Sequence, residues 1–436
     1  MRKHIWTAVV VATSWSVLAG LAEAGVTRLS DINPDAGHAS PSQFTPYNGS
    51  LYFRANDGST GSELWKYNGT ACTRVADIQA GSDGSAPSFL TVYDGKLYFQ
   101  AEDGSHGKEL WRYDGSSASR VADIWSGAQG SEPVWFAVYD SELYFGANDG
   151  IHNKELWRYN TTDGARMVAD LRPGLTEGSI PQFLTVYDGD LYFDGKMTSA
   201  QNLLRYRSSD NTFTNVNQDL GYPNTFCIYD DDLYFQAYGP SNIGNELYKY
   251  DAAGNRTDLV ADINPGSAYG YPRFFVVYDD VLYFEVEDGT HGQEMWKYDA
   301  ATRKAELVCD LIPGGDDGRF LYPAVYRGEL YFAADNGDTG RELWKYNSTD
   351  NTVSLVADIR LGTDGSGPNS LYVWNDKLYF SANDGTNGTE LWVYEPDPIP
   401  EPASLLLVGT GLPALIGVAR RRRYQKSSPD TGICTP

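Results

Sequence analysis

The sequence predicts an all-β fold, an eight-bladed β-propeller built from four-stranded antiparallel blades. Three observations predict it. The phrase Leu-Tyr-Phe occurs eight times, at intervals of 42 to 49 residues, and three further short apolar phrases accompany each copy. Asp-Gly, Asn-Asp-Gly or Gly/Ser/Pro turns separate the phrases. A period in the forties with four strands per unit is typical of a propeller blade, and Asp-Gly between apolar runs is a hairpin signal.

The order of the strands within a blade follows from the spacing of the phrases. The second repeat reads FLTVYDG (89–95), KLYFQA (96–101), KELWRY (108–113) and RVADI (120–124). The longest connection, QAGSDGSAPS (79–88), is suited to a crossing between blades, so we expect this order to run from the inner to the outer strand. The chain then starts with a spare outer strand, VTRLSDI (26–32), which we expect to complete the last blade and close the ring.

Two resemblances agree with this architecture. The strand order is similar to that of the propeller of TolB. The phrase ELWRYDGS (109–116) resembles the ELWxxDGT repeat family, and the resemblance covers nearly all of residues 26–394. It implies a propeller and no particular activity.

The N-terminal segment has the features of a signal peptide. Residues 1–24 combine a basic start, an apolar run and the trio Ala22-Glu23-Ala24, in which Ala22 and Ala24 form a small-residue cleavage site. We expect cleavage before Gly25, so that the propeller occupies residues 25–394 and the protein is exported.

The C-terminal segment predicts a second processing signal. We expect a proline-rich stalk at 395–402, a transmembrane helix at 403–419 and a basic cytoplasmic tail at 420–436. The stalk ends in Pro400, Glu401 and Pro402, and the tail opens with Arg420, Arg421, Arg422 and Arg423.

This order of features resembles the PEP-CTERM sorting signal. The resemblance implies recognition of Pro400, Glu401 and Pro402 by an exosortase, transient anchoring in the inner membrane, and delivery to the surface of a cell that makes extracellular polysaccharide. The alternative is an ordinary C-terminal membrane anchor.

The charge of the chain argues against nucleic acid and anionic lipid as partners. The formal net charge is −24, and without residues 1–24 and 400–436 there remain 27 basic and 55 acidic side chains, a net of −28. Such a body repels nucleic acid and anionic lipid and attracts cations and basic partners.

In five repeats the turn before the Glu-Leu-Trp or Glu-Met-Trp phrase is a candidate cation site. It carries an Asp-Gly pair and, six residues after the Asp, a Glu whose oxygen would suit calcium. The candidate ligands are Asp57, Glu63, Asp103, Glu109, Asp149, Glu155, Asp288, Glu294, Asp384 and Glu390. In the structural alternative, Asp caps the turn and Gly supplies a positive φ. The Asp of the Val-Ala-Asp phrase, as in Asp77, is expected to accept bonds from the amides of the interblade loop.

The recurring tryptophan also has two interpretations. Six repeats place Trp at the same position, either for packing between blades or for stacking on sugars. The positions are Trp65, Trp111, Trp157, Trp296, Trp344 and Trp392. Duplication into most blades favours packing.

These patterns favour a non-catalytic structural or binding propeller, exported to the cell surface or the exopolysaccharide matrix. No nucleophile motif, metal-ligand spacing or phosphate loop is present in the sequence, and enzymes need an asymmetric set of groups. The alternative is an extracellular glycan-active or quinone-dependent enzyme. The irregular fourth and fifth repeats, as in DGKMTSAQNLLRY (194–206), are where a unique site is expected. Candidate partners are polysaccharide and surface proteins, with calcium as the candidate cofactor.

Overall fold

Eight antiparallel sheets of four strands form the ring of a propeller. The computed structural model describes residues 25–240 and 243–396, which contain 32 strands and no helix. In each of blades 1 to 7 the four strands are consecutive in sequence and lie in sequence order. The first strands of adjacent blades pack beside one another, which places them innermost and confirms the predicted direction of each blade.

The strands of blades 1 to 4 are β2 (Ser42–Tyr47), β3 (Ser50–Asn56), β4 (Ser62–Tyr67) and β5 (Cys72–Ala76); β6 (Ser88–Tyr93), β7 (Lys96–Glu102), β8 (Lys108–Tyr113) and β9 (Ala118–Ala122); β10 (Val134–Tyr139), β11 (Glu142–Asn148), β12 (Lys154–Asn160) and β13 (Gly164–Ala169); β14 (Gln182–Tyr187), β15 (Asp190–Lys196), β16 (Gln201–Arg207) and β17 (Thr212–Asn217).

The strands of blades 5 to 8 are β18 (Gly221–Tyr229), β19 (Asp232–Tyr238), β20 (Asn245–Asp251) and β21 (Arg256–Ala261); β22 (Arg273–Tyr278), β23 (Val281–Glu287), β24 (Gln293–Asp299) and β25 (Lys304–Cys309); β26 (Leu321–Tyr326), β27 (Glu329–Ala334), β28 (Glu342–Asn347) and β29 (Thr352–Ala357); and β30 (Asn369–Trp374), β31 (Lys377–Asn383), β32 (Thr389–Tyr394) and β1 (Val26–Arg28).

The N-terminal strand closes the ring, as predicted. β1 pairs antiparallel with β32, with Val26 opposite Tyr394 and Arg28 opposite Trp392. It thereby supplies the outer strand that blade 8 lacks and covers the edge of β32, so the last blade has the same four strands as the others.

Tight turns join the two inner strands of each blade. Between β2 and β3 only Asn48 and Gly49 lie outside the strands, with φ of 45° and 70°. Positive φ at both central residues is the type I′ conformation, whose twist matches that of antiparallel strands. This explains the Asn-Gly and Asp-Gly pairs in the sequence.

The core lies between blades. Eight hydrophobic clusters are each shared by two neighbouring blades; one combines Leu64 of blade 1 with Leu97 and Phe99 of blade 2. The second strand of each blade is therefore buried on both faces, which accounts for its unbroken Leu-Tyr-Phe run. Trp344 and Trp392 are buried in such clusters, and Trp65 and Trp111 pack against others, so the recurring tryptophan is a packing residue at these positions.

Candidate functional site

The turns between the second and third strands carry the first predicted carboxylates. In blade 1 the Asp57 Oδ1 atom accepts bonds from the amides of Ser59 (2.9 Å) and Thr60 (2.8 Å) and from both hydroxyls. Burial opposes ionisation here, yet these donors hold the pKa of Asp57 low, at about 2. Gly58 follows with φ of 79°. Asp57 therefore caps its own turn.

The same capping recurs in the other predicted turns. Asp103, Asp149, Asp288 and Asp384 each accept the amides two and three residues further on. Where the third residue is His, its ring also bonds the Asp, as in the 2.7 Å contact between His152 Nδ1 and Asp149 Oδ2.

The glutamates lie in a different network, at the junction between blades. Glu63 is fully buried. Its Oε2 atom accepts the Ile78 amide (3.2 Å) and the Ser85 hydroxyl (2.6 Å), and its Oε1 atom accepts the amides of Gln79 (3.3 Å) and Ser85 (2.8 Å). The carboxylate thus supplies acceptors for buried amides of the interblade loop, which would otherwise be unpaired.

Seven of the eight junctions contain this buried carboxylate. The residues are Glu63, Glu109, Glu155, Glu246, Glu294, Glu342 and Glu390. Blade 4 has Asn202 instead, whose amide donates to Leu220 O (2.8 Å). Sequence reasoning missed this role; the signal was a Glu preceding Leu-Trp at a fixed distance from a Gly/Ser-rich loop.

The prediction of which residue accepts the interblade amides is therefore wrong for blade 1. The Val-Ala-Asp phrase was expected to supply it, but Asp77 pairs with Arg74, with 3.5 Å between Oδ2 and Nη2. Asp77 lies just after β5 and is exposed, whereas the side chain of Glu63, on β4, is buried beneath the interblade loop.

The environment of the glutamate differs between junctions. Ser85, Ser131 and Ser366 donate a hydroxyl to Glu63, Glu109 and Glu342. At the equivalent position, Glu246 and Glu294 face Gly270 and Gly318, which offer only an amide. Burial raises the pKa of Glu246 to about 7 and that of Glu294 to about 8, against the backbone donors.

A ring of tyrosines holds the blades together at the opposite ends of the strands. Tyr47 and Tyr52 of blade 1 contact Tyr113 of blade 2, with ring centroids 6.4 and 5.7 Å apart. The Tyr47 hydroxyl donates to Gly95 O, in the inner turn of blade 2 (3.0 Å). Equivalent hydroxyl bonds cross five more junctions, from Tyr93, Tyr187, Tyr229, Tyr278 and Tyr326.

The predicted cation ligands are thus divided between two networks. The Asp residues cap turns and the Glu residues anchor the neighbouring loop. Within residues 25–240 and 243–396 there is no group of three or more His, Cys, Asp or Glu that could hold a metal ion. Calcium binding at these turns would therefore require a cation to displace existing hydrogen bonds of Asp57 and Glu63.

The irregular repeats contain the clearest departure from the repeated pattern. Four tyrosines of blade 5 and of the loop after it are in ring contact, and we call them the tyrosine cluster. They are Tyr222, Tyr238, Tyr269 and Tyr271. Tyr222, Tyr269 and Tyr271 are exposed, at 55%, 47% and 38%. The Tyr238 and Tyr271 hydroxyls are 3.3 Å apart, and this bond, followed by burial, raises the pKa of Tyr238 to about 12.

Blade 4 contains the second departure, a buried carboxyl with no equivalent in most blades. Asp194 follows Leu-Tyr-Phe on β15, where blade 1 has Arg54 and blade 7 has Ala333. Its Oδ2 atom accepts a bond from the Gln201 amide, while Oδ1 is buried with no partner. Burial raises the pKa of Asp194 to about 8.

The terminal predictions lie outside the described residues. These are Ala22, Ala24, Pro400, Glu401, Pro402, Arg420, Arg421, Arg422 and Arg423, together with the helix expected at 403–419. Gly25, after the expected cleavage point, is described and accepts the Glu395 amide at its carbonyl (2.8 Å). In the part of the chain that the structure describes, no helix is long and apolar enough to cross a membrane.

One family model matches the C-terminal segment. Residues 398–423 match the PEP-CTERM protein-sorting motif, which confirms the predicted sorting signal. The motif implies export and processing by an exosortase. No curated protein matches the chain.

Solved structures share the fold at low sequence identity. A prolyl endopeptidase is 14% identical, with a TM-score of 0.52 over 81% of this chain and 55% of that one. A puromycin-hydrolyzing peptidase of Mycobacterium tuberculosis is 11% identical, with a TM-score of 0.50 over 83% and 60%. The Dos1 propeller is 10% identical, with a TM-score of 0.51 over 83% and 95%. The chain therefore spans 55 to 60% of the length of these peptidases, and the likeness shows the propeller fold alone.

Proposed function

We propose that this protein is a non-catalytic propeller that acts at the cell surface or in the extracellular polysaccharide matrix as a structural or binding module. The sorting motif at residues 398–423 supports its export, with an exosortase as processing partner. Polysaccharide and surface proteins are the partners that this location offers.

One observation carries the non-catalytic role. The polar residues that recur from blade to blade hold the ring together: Asp caps turns, Glu anchors interblade loops and Tyr bridges the inner turns. A catalytic centre needs groups that one place in the ring possesses and the others lack. Buried carboxylates that each accept two or more loop amides at seven junctions are suited to stabilising the ring.

An enzyme is the second candidate, and Asp194 favours it. A buried carboxyl with a pKa of about 8 is protonated at neutral pH and has the form of a general acid. The exchange Asp194→Asn removes the proton donor and retains the shape. Loss of glycan cleavage in this variant would favour the enzyme.

The proposal is tested by following the chain in a host that contains an exosortase. We expect the wild type at the surface or in the medium, shortened at its C-terminus, and a triple variant (Pro400→Ala, Glu401→Ala, Pro402→Ala) in the inner membrane. Incubation with the host's own polysaccharide should yield no new reducing ends. Retention of the wild type inside the cell, or release of reducing ends that Asp194→Asn abolishes, would overturn the proposal.

A further inference from the structure

The tyrosine cluster is specific to one position in the ring. Tyr238 ends the second strand of blade 5, where every other blade has a polar residue. Those residues are Asn56, Glu102, Asn148, Lys196, Glu287, Asp335 and Asn383. Tyr222, the second residue of β18, and Tyr271, in the loop after blade 5, occupy equivalent positions, where the loop before blade 2 has Ala86.

The four rings form one continuous aromatic surface. Tyr238 lies in the middle, with centroids 5.9 Å from Tyr222, 5.5 Å from Tyr269 and 6.4 Å from Tyr271, all near perpendicular. Tyr269 and Tyr271 are 5.3 Å apart. Edge-to-face contacts of this kind fix the rings relative to one another, while three of them remain exposed to solvent.

The backbone beneath the cluster is tied down. The Gly239 amide donates to Gly244 O (3.0 Å), and the Gly244 amide donates to Gly266 O in the adjoining loop (3.0 Å). Tyr222 and Tyr271 have φ of 51° and 49°, the left-handed conformation that this loop position adopts throughout the ring. The rings are thus presented by a preformed scaffold, which lowers the entropy cost of binding.

An open cleft adjoins the rings. It has a volume of about 330 Å³ and is lined by Asp219, Gly221, Tyr222, Tyr238 and Gly239. A Cβ atom added at Gly221 would come within 4 Å only of the Tyr238 Cβ atom, at 3.9 Å, so the cleft is open beside Gly221. Two of the five lining residues are tyrosines, and Asp219 contributes a carboxylate side chain.

We propose that the tyrosine cluster is a binding site for a neutral glycan. Pyranose rings have apolar C–H faces that pack on aromatic rings and a rim of hydroxyls that bond to phenols and carboxylates. Asp219 in the cleft and the net charge of −28 on the body disfavour uronic acids and sulfated sugars. The cleft has the volume of one or two sugar residues, which fits a chain end or a short internal segment.

This inference rests on the proposed function, because it names the ligand of a binding propeller in a polysaccharide-rich location. At the end of the second strand, where the other blades carry a polar residue, blade 5 carries Tyr238 at the centre of this aromatic group. Isolated exposed aromatic residues are ordinary on a surface, whereas a fixed group of four marks an interaction site.

The test is affinity electrophoresis of the full chain, purified in detergent, through native gels that contain a soluble neutral polysaccharide. Dextran, glucomannan and xyloglucan are the neutral probes, and alginate is the acidic one. We expect at least one neutral polymer to retard the wild type in proportion to its concentration, with alginate causing no retardation.

Two variants locate the binding to the cluster. Tyr222→Ala and Tyr271→Ala should each weaken binding about tenfold, since each removes one ring face. Tyr271→Phe retains the face and should lose less. Leu361→Ala is the matched control, because Leu361 is 71% exposed in the corresponding loop of blade 7, and it should bind as the wild type does.

Three outcomes would overturn the inference: no retardation by any neutral polymer, retardation by alginate alone, or equal retardation of the wild type and both alanine variants. The location of each variant, measured in parallel, separates this failure from that of the proposed function. A wild type that reaches the surface but binds no neutral glycan contradicts only the inference. A wild type that never leaves the cell contradicts the proposed function.

Discussion

The junctions between blades 1 and 2 and between blades 5 and 6 hold the interblade loop in the same way, but only the first includes a serine hydroxyl. In both, a buried glutamate accepts amides of the interblade loop, Glu63 in the first and Glu246 in the second. Ser85 adds a hydroxyl to the first, and Gly270 leaves the second without one. Burial raises the pKa of both carboxyls, and that of Glu246 reaches about 7.

The comparison shows that the loops with the serine hydroxyl and the loops with the exposed tyrosines are different loops. Gly270 lies between Tyr269 and Tyr271, and Gly221 precedes Tyr222. The loops that present the tyrosine cluster are thus among those that lack the serine. The loops with Ser85, Ser131 and Ser366 gain a hydroxyl bond to the glutamate and carry no exposed aromatic group of this kind.

The largest expected effect comes from removing the anchor itself. Glu63→Ala leaves the amides of Ile78, Gln79 and Ser85 buried without an acceptor and should lower the free energy of unfolding by about 3 kcal/mol. Glu246→Ala should cost less at pH 8, because it also removes a carboxylate whose ionisation burial opposes. Urea unfolding midpoints measure both. Glu306→Ala is the control, because Glu306 is exposed on an outer strand. Equal losses of unfolding free energy in Glu63→Ala and Glu246→Ala would contradict the difference between the two junctions.

Removing the serine hydroxyl should lower the free energy of unfolding by less than removing the glutamate does. Ser85→Ala removes a 2.6 Å bond to Glu63 and should cost about 1 kcal/mol. Gly270→Ser is the reverse exchange. Its Cβ atom would stand 2.9 and 3.0 Å from the Glu246 oxygens, so the carboxylate must rotate before it accepts the new hydroxyl. We expect a gain of roughly 0.5 kcal/mol at pH 8. A loss at that pH would show that crowding outweighs the bond.

The pH dependence of the melting temperature should reveal the junctions without serine. The pKa values of Glu246, Glu294 and Glu390 are raised to about 7, 8 and 7 by burial, above the value of the unfolded chain. Folding therefore favours the protonated forms, and their contribution is complete below about pH 4.5 and lost as the pH rises through 7 to 8. We expect the melting temperature to fall between pH 5 and pH 8.5.

The variant Glu294→Gln should flatten this slope, because it removes the titrating group and keeps an acceptor for the Gly318 amide. Glu306→Gln should leave the slope unchanged. A melting temperature that rises across the same interval in the wild type would contradict the assignment.

The smallest expected effect is that of calcium. Asp57 and Glu63 already bond backbone donors in separate networks, so a cation would have to displace those bonds. We expect no saturable change in melting temperature on calcium titration, with magnesium as the control. A rise specific to calcium would show that the turns of the regular blades bind cations and would make them functional as well as structural.

Much of the fold could be predicted because strand and turn signals are local. The Leu-Tyr-Phe run predicts a doubly buried strand, Asn48-Gly49 predicts a tight turn, and the unpaired phrase at Val26 predicts closure of the ring. The role of Glu63 could not be predicted in this way, because its closest partner, Ser85, lies 22 residues further along an irregular loop.

The sequence by itself determined the number of blades, the order of their strands and the way in which the ring closes. These depend on short-range periodicity and on a repeat copied eight times. Only the tertiary structure decided which carboxylates accept loop amides and that Tyr222 and Tyr271 both contact Tyr238. The physical reason is that loop paths between blades bring together residues 16 to 33 positions apart, and no local pattern specifies those paths.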